Sequence, residues 1–135
     1  MPKTIVIRPA VLALLSAAAV FPARADNARP PTPFGDPVFT QQGGANIYKA
    51  VCQGCHMPDA KGAVGAGAYP ALAGNPRLEE AGYPVGIVIH GQKAMPAFGV
   101  YFTDTQIADV VNYVRSSFGN HYPDKVKPGD VKAER

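Results

Sequence analysis

An all-α fold is what this sequence predicts: a small domain of three to five short helices joined by long loops. Three observations carry that expectation. Apolar residues recur three and four apart in a few short stretches, 14 Gly and 14 Pro among 135 residues break the chain between them, and no pair of alternating runs carries a hairpin signal. The length allows one domain and little more. An apolar content of 47% excludes a wholly disordered chain, and two cysteines are too few for a disulfide-stapled scaffold.

Residues 1–25 read as a cleavable export signal. Lys3 and Arg8 precede the apolar run Val11–Phe21, and Ala23-Arg24-Ala25 supplies small residues for a cut after Ala25. The run is shorter than the roughly 20 residues a membrane span requires, so the mature chain is expected to have no span and to reside in a bacterial periplasm. Removing Lys3, Arg8 and Arg24 takes the formal charge from +3 to zero, with 10 basic and 10 acidic residues left. With no basic stripe, nucleic-acid binding has no electrostatic footing.

Pro30, Pro31, Pro33 and Pro37 make residues 26–42 an extended leader. The folded domain is expected over 43–119. Ala45, Ile47, Tyr48 and Val51 predict a first helix from Gly43 to about Cys55, closed by Pro58. Residues 59–75 hold too much Gly and Pro for a regular element. A short helix is expected over about Pro84 to His90, stopping at Gly91, although Val85, Ile87, Val88 and Ile89 would also suit a strand. The clearest element opens with the capping box Thr103/Gln106, repeats Ile107, Val110, Val111, Val114 and Phe118 on one face, and ends at Gly119. Residues 120–135 read as a polar C-terminal tail.

Loops longer than about 12–15 residues are uncommon in compact domains unless they wrap something. Cys52-Gln53-Gly54-Cys55-His56 names what is wrapped, because Cys-x-x-Cys-His is the attachment sequence of c-type haem. Residues three apart share a helix face, so both thiols reach one porphyrin and the next imidazole meets its iron from the same side. The competing readings fare worse: a redox Cys-x-x-Cys needs a surrounding α/β pattern, and a zinc site needs further thiolate or imidazole ligands nearby. One covalently bound haem c is therefore expected, with His56 as the proximal metal ligand.

Met57, Met95, His90 and His121 are the candidates for the opposite side of the iron. Met57 adjoins His56 and cannot readily reach the other face. Met95 lies in Ala94-Met95-Pro96-Ala97-Phe98-Gly99, where Pro96 restrains it to an extended conformation, and it is the preferred second metal ligand. His90 and His121 stand in reserve.

These motifs resemble the mono-haem class I cytochromes c from about Gly43 to Phe118. Gly44, Tyr48 and Cys52 are spaced like that family's first helix, with Val110 and Tyr113 at the matching places on its last. The resemblance implies a fold wrapped around one covalent haem. It also implies that the Pro70 carbonyl in Tyr69-Pro70-Ala71-Leu72 accepts a hydrogen bond from His56, and that Leu72 packs on the haem. Trp is absent, so Tyr69, Tyr83, Tyr101, Arg77, Lys93 or backbone amides are left to hold the propionates. The end of the last helix and the tail are similar to the cytochrome subunits and electron acceptors of periplasmic dehydrogenases that oxidise alcohols, aldehydes or amines.

Two ligands on the iron leave no open position, so the expected function is electron transfer without catalysis: a monomeric carrier, or a subunit of a dehydrogenase complex. Its donor would be a periplasmic dehydrogenase and its acceptor a terminal oxidase or another cytochrome. Ala63, Val64, Ala97 and Gly99 are expected to form a low-charge docking patch with Lys49, Lys61 and Lys93 at its rim. The alternative is a haem sensor or weak peroxidase with an open distal site.

Overall fold

The computed structural model of the chain describes residue 1 and residues 39–65 and 67–135. The last two spans lie in the compact unit Thr32–Arg135. The export signal and most of the leader fall outside the described residues. Among those described, no helix is long and apolar enough to cross a membrane.

The first helical run reaches His56 in three parts: α1 (Gly44–Ile47), a π-helical turn (Tyr48–Cys52) and α2 (Gln53–His56). The helix is thus where apolar spacing puts it, but widened at its middle, where the Gln53 N–H reaches back five residues to the Tyr48 carbonyl. Such turns recur at functional sites, and this one contains Cys52.

Gly44 is where this run meets α4 (Asp104–Ser116). A Cβ there would overlap the Asp109 carbonyl and stand 2.5 Å from the Tyr113 Cβ, so only glycine permits the crossing. One turn on, the Tyr48 ring packs on Tyr113 and Phe118 at centroid separations of 5.7 and 4.9 Å. Its hydroxyl donates to the Met57 carbonyl at 2.8 Å. Burial, reinforced by Cys52, pushes the phenol up to about 12, so it stays a donor near neutral pH.

α3 (Gly82–His90) ends at Gly91 as expected, and α4 opens on the expected capping box. Gln106 N–H donates to Thr103 Oγ1 at 3.2 Å, and Thr103 N–H donates to Gln106 Oε1 at 2.9 Å. The buried face of α4 carries Ile107, Val110, Val111 and Val114. The helix stops at Ser116, short of Gly119, because Ser117 is extended and Phe118 adopts a left-handed φ of 58°. That turn sends the Phe118 ring back onto Tyr48 and Tyr113.

Two further elements depart from expectation. The 59–75 loop contains a small antiparallel hairpin, β1 (Ala63–Val64) and β2 (Ala68–Tyr69), paired Ala63 with Tyr69 and Val64 with Ala68. Strands of two residues leave no alternation to read. Residues 120–135 are packed, not a loose tail: α5 (Pro128–Glu134) lies against α3 and α4, and Val126 and Val131 are buried. Arg115, 1% exposed, holds this segment down. Its guanidinium donates to the carbonyls of Leu78, Glu79 and Asp124, and forks onto the Asp124 carboxylate at 2.8 and 2.9 Å. Those side-chain hydrogen bonds hold the Asp124 carboxyl below the usual carboxylate range.

Candidate functional site

A cavity of about 950 Å³ opens between α2, the 61–75 loop, α3, the 92–98 loop and α4. It stands at the upper end of the roughly 300–1,000 Å³ typical of cofactor pockets. Cys52, Cys55, His56, Pro70, Leu72 and Met95, all singled out in the sequence, share its wall. Val51, Leu78, Ile87, Val88, Phe98 and Val111 make much of the remainder apolar.

On one side, His56 closes α2 because Met57 turns to a φ of 66° and cannot continue the helix. The imidazole Nδ1 lies 3.0 Å from the Pro70 carbonyl oxygen. A carbonyl only accepts, so Nδ1 is the donor and the Nε2 lone pair remains for a metal. The loop presenting Pro70 is anchored on both flanks. Leu72 and Ala73 N–H groups donate to the Ala60 carbonyl at 2.8 and 2.9 Å, and Gly62 N–H donates to the His56 carbonyl at 3.1 Å. Burial, with Cys55 nearby, pushes the Cys52 thiol up to about 12.

The opposite side is a turn. Beyond Gly91, Gln92 and Met95 exchange backbone hydrogen bonds of 3.0 and 2.9 Å, placing Met95, half-buried, at the cavity. The chain then returns along α3, with Phe98 and Gly99 N–H groups donating to the carbonyls of Val88 and Ile89. Of the four distal candidates Met95 alone lines the cavity; His90 and His121 are exposed, and Met57 lies off the wall. Tyr69, Tyr83, Arg77 and Lys93 also line the cavity, whereas Tyr101 does not.

The expected docking patch needs one correction. Gly99 is buried against Ile89, because its N–H is committed to the Ile89 carbonyl, and it cannot face a partner. Val64, at 92% exposure, and Ala97 do face outward.

Several residues that shape the site are silent in local sequence. Asn120 is buried, donates to the carbonyls of Leu72 and Val114 at 2.8 and 2.7 Å, and accepts from Asn75 N–H at 3.0 Å. It pins the Pro70–Asn75 stretch to the end of α4. Gln106, legible as a cap, also donates to the carbonyls of Phe39 and Gln41 at 2.6 and 3.0 Å. Phe39 then packs on Phe98 and Phe102, two rings of the cavity wall, with centroids 6.5 and 5.0 Å away.

Two thiols and an imidazole in Cys-x-x-Cys-His order, on the wall of an apolar cavity wrapped by short helices, define a c-type cytochrome. The family model described as cytochrome C oxidase, cbb3-type, subunit III matches residues 40–114, and the chain belongs to that cytochrome family. It is similar to the cytochrome c subunit of alcohol dehydrogenase (quinone) from Gluconacetobacter polyoxogenes, 37% identical over 65% of this chain and 21% of that protein. It is also similar to the fructose dehydrogenase cytochrome subunit of Gluconobacter japonicus, 37% identical over 57% and 19%, and to the gluconate 2-dehydrogenase cytochrome c subunit of Pantoea cypripedii, 34% identical over 70% and 24%. The chain thus spans about a fifth to a quarter of the length of these relatives.

A cytochrome c domain carries covalently bound haem c, and the residues here fit it. The cavity is large and mostly apolar, both thiols are on its wall, and the His56 tautomer leaves Nε2 unprotonated.

Proposed function

We propose that the protein is an exported, periplasmic electron carrier that takes electrons from a dehydrogenase and passes them to the respiratory chain through a terminal oxidase or another cytochrome. The observation that carries this reading is the convergence of His56 and Met95 on one cavity that no other candidate ligand reaches. Bound haem c supplies one-electron iron chemistry. In this reading Cys52 and Cys55 would hold it as thioethers, His56 and Met95 would bind its iron, Pro70 would orient His56, and Leu72 would pack against it.

Thioether ligation raises the reduction potential relative to two imidazoles, and the apolar wall disfavours the additional charge of the oxidised state. The dehydrogenases named for the similar subunits act on alcohol, fructose and gluconate, which favours a donor that oxidises an alcohol or sugar. The exposed Val64 and Ala97 suit a small, transient redox encounter, typically below about 1,200 Å².

The optical spectrum of the matured protein, oxidised and reduced, with and without carbon monoxide, tests the ligation. A ferric far-red iron–sulfur band that is lost in Met95→Ala, with no carbon monoxide shift in the unsubstituted ferrous protein, is the expected result. A rapid carbon monoxide shift or a high-spin ferric spectrum in the unsubstituted protein overturns it in favour of an open-site sensor or weak peroxidase.

A further inference from the structure

The loop that carries Met95 has unequal ends. Its incoming end is continuous with α3 and is closed at once by the reciprocal hydrogen bonds of Gln92 and Met95. Its outgoing end, Gly99 to Phe102, precedes α4 and presents the carbonyls of Gly99 and Phe102. Both are taken by one side chain from far along the chain. Arg135 donates through one terminal nitrogen to Gly99 O and through the other to Phe102 O at 2.9 Å, while its Nε lies 2.6 Å from Asp104 Oδ1 in the first turn of α4. The pair is partly buried, with side-chain exposures of 31% for Arg135 and 24% for Asp104.

We infer that Arg135 is a positioning residue for the distal side of the site: its guanidinium clasps the outgoing end of the Met95 loop to α4 and keeps the thioether at the cavity. The inference rests on the reading of Met95 as an iron ligand. Three features of the structure support it. The three acceptors flank the loop exit and lie in directions that the rigid, planar donor fork of arginine can serve together, which the single ammonium of lysine cannot. Phe98, just before the first clasped carbonyl, and Phe102, which carries the second, both line the cavity and stack at 5.3 Å, so movement of this end reaches the site directly. Arg135 caps the C-terminal end of α5, which Val131 anchors in the core, so its side chain is delivered from the end of a fixed element. Arg135 itself lies beyond the 40–114 span matched by the family model, whereas the Gly99, Phe102 and Asp104 groups it binds lie within it.

The test uses the haem-loaded, full-length protein and three variants: Arg135→Ala, Arg135→Lys, and Ile107→Ala as a core control off the cavity wall. Backbone amide exchange over residues 95–102, the far-red band and the rate of carbon monoxide binding to the ferrous form are read beside the thermal midpoint. Losing hydrogen bonds from a charged donor is worth about a factor of ten or more in the local opening equilibrium. Arg135→Ala is therefore expected to speed exchange at Phe98 and Gly99, and carbon monoxide binding, by about tenfold or more. Arg135→Lys should fall between it and the unsubstituted protein, and Ile107→Ala should lower the midpoint without this local signature. A far-red band that depends on Met95 while exchange and carbon monoxide binding ignore Arg135 overturns the clasp alone, as does an Arg135→Ala effect that Ile107→Ala reproduces at equal midpoint loss. A missing far-red band in the unsubstituted protein overturns the Met95 reading and the clasp with it.

Discussion

The two walls of the cavity are built on different plans. The wall carrying His56 is written in contiguous sequence: thiols, imidazole and the helix that spaces them lie within Cys52–His56, and Pro70 is fourteen residues away. The wall carrying Met95 is assembled from distant parts, with Phe39 packed on Phe98, Gln106 tying Phe39 in place, and Arg135 closing the loop's exit. A covalent anchorage tolerates loosening around it, whereas a thioether held by packing and hydrogen bonds depends on every segment that supports the turn. With Met95 as the proposed iron ligand, the first wall governs whether the protein has its cofactor, and the second governs what that cofactor is free to bind.

Replacing both Cys52 and Cys55 by Ala should have the largest effect. Covalent haem disappears completely, as read by haem staining after denaturing electrophoresis, while any distal substitution leaves the stain intact. Next comes Gly44→Val, which forces a side chain into the Asp109 carbonyl and the Tyr113 Cβ. It should cost about 3 kcal/mol in denaturant unfolding of the haem-loaded protein, and it would unsettle both walls because α4 serves both.

Arg115→Ala leaves the carbonyls of Leu78 and Glu79 without their donor and should cost about 2–3 kcal/mol by the same measurement. Phe98→Ala removes a ring shared between the cavity and the Phe39/Phe102 cluster. A loss of about 2 kcal/mol is expected, with covalent attachment unchanged; a fall in haem content would show that the two walls are not separable.

Asp124→Asn should be the smallest change, and it is visible in pH dependence. The Asp124 carboxyl is held down in the folded chain by Arg115, so its contribution is present above the ordinary carboxylate value of about 3.9. That contribution is lost as pH falls from there through the depressed folded value, where the carboxyl protonates. Acid titration of unfolding should lose part of its slope in this window in Asp124→Asn and keep its slope above it.

The same division explains what could be read in advance. Cys-x-x-Cys-His, the stop at Gly91 and the Thr103/Gln106 box are signals within a few residues, and each stands where the sequence puts it. The stripe on α4 is also correct in phase, but extending it to Phe118 overshoots: that ring is needed at the Tyr48 crossing, and a left-handed turn takes it there. Val126 and Val131 look like isolated apolar residues in a polar tail, and their burial depends on α3 and α4, which no local pattern announces. Asn120 and Arg135 read as ordinary surface residues until the carbonyls they serve are brought beside them. As a small uncharged residue Gly99 suits a low-charge docking patch, yet the absence of a side chain is what lets its backbone lie against Ile89.

The glycine at the α1–α4 crossing has a consequence in the order of synthesis. Gly44 meets Asp109 and Tyr113, more than sixty residues further along the chain. A chain growing from its N-terminus exposes both thiols and His56 well before the partner of its first helix exists, and closing so long a loop is slow and entropically unfavourable. The nascent polypeptide therefore passes through a stage in which the attachment residues stand open, and the crossing seals behind them only when α4 has been made.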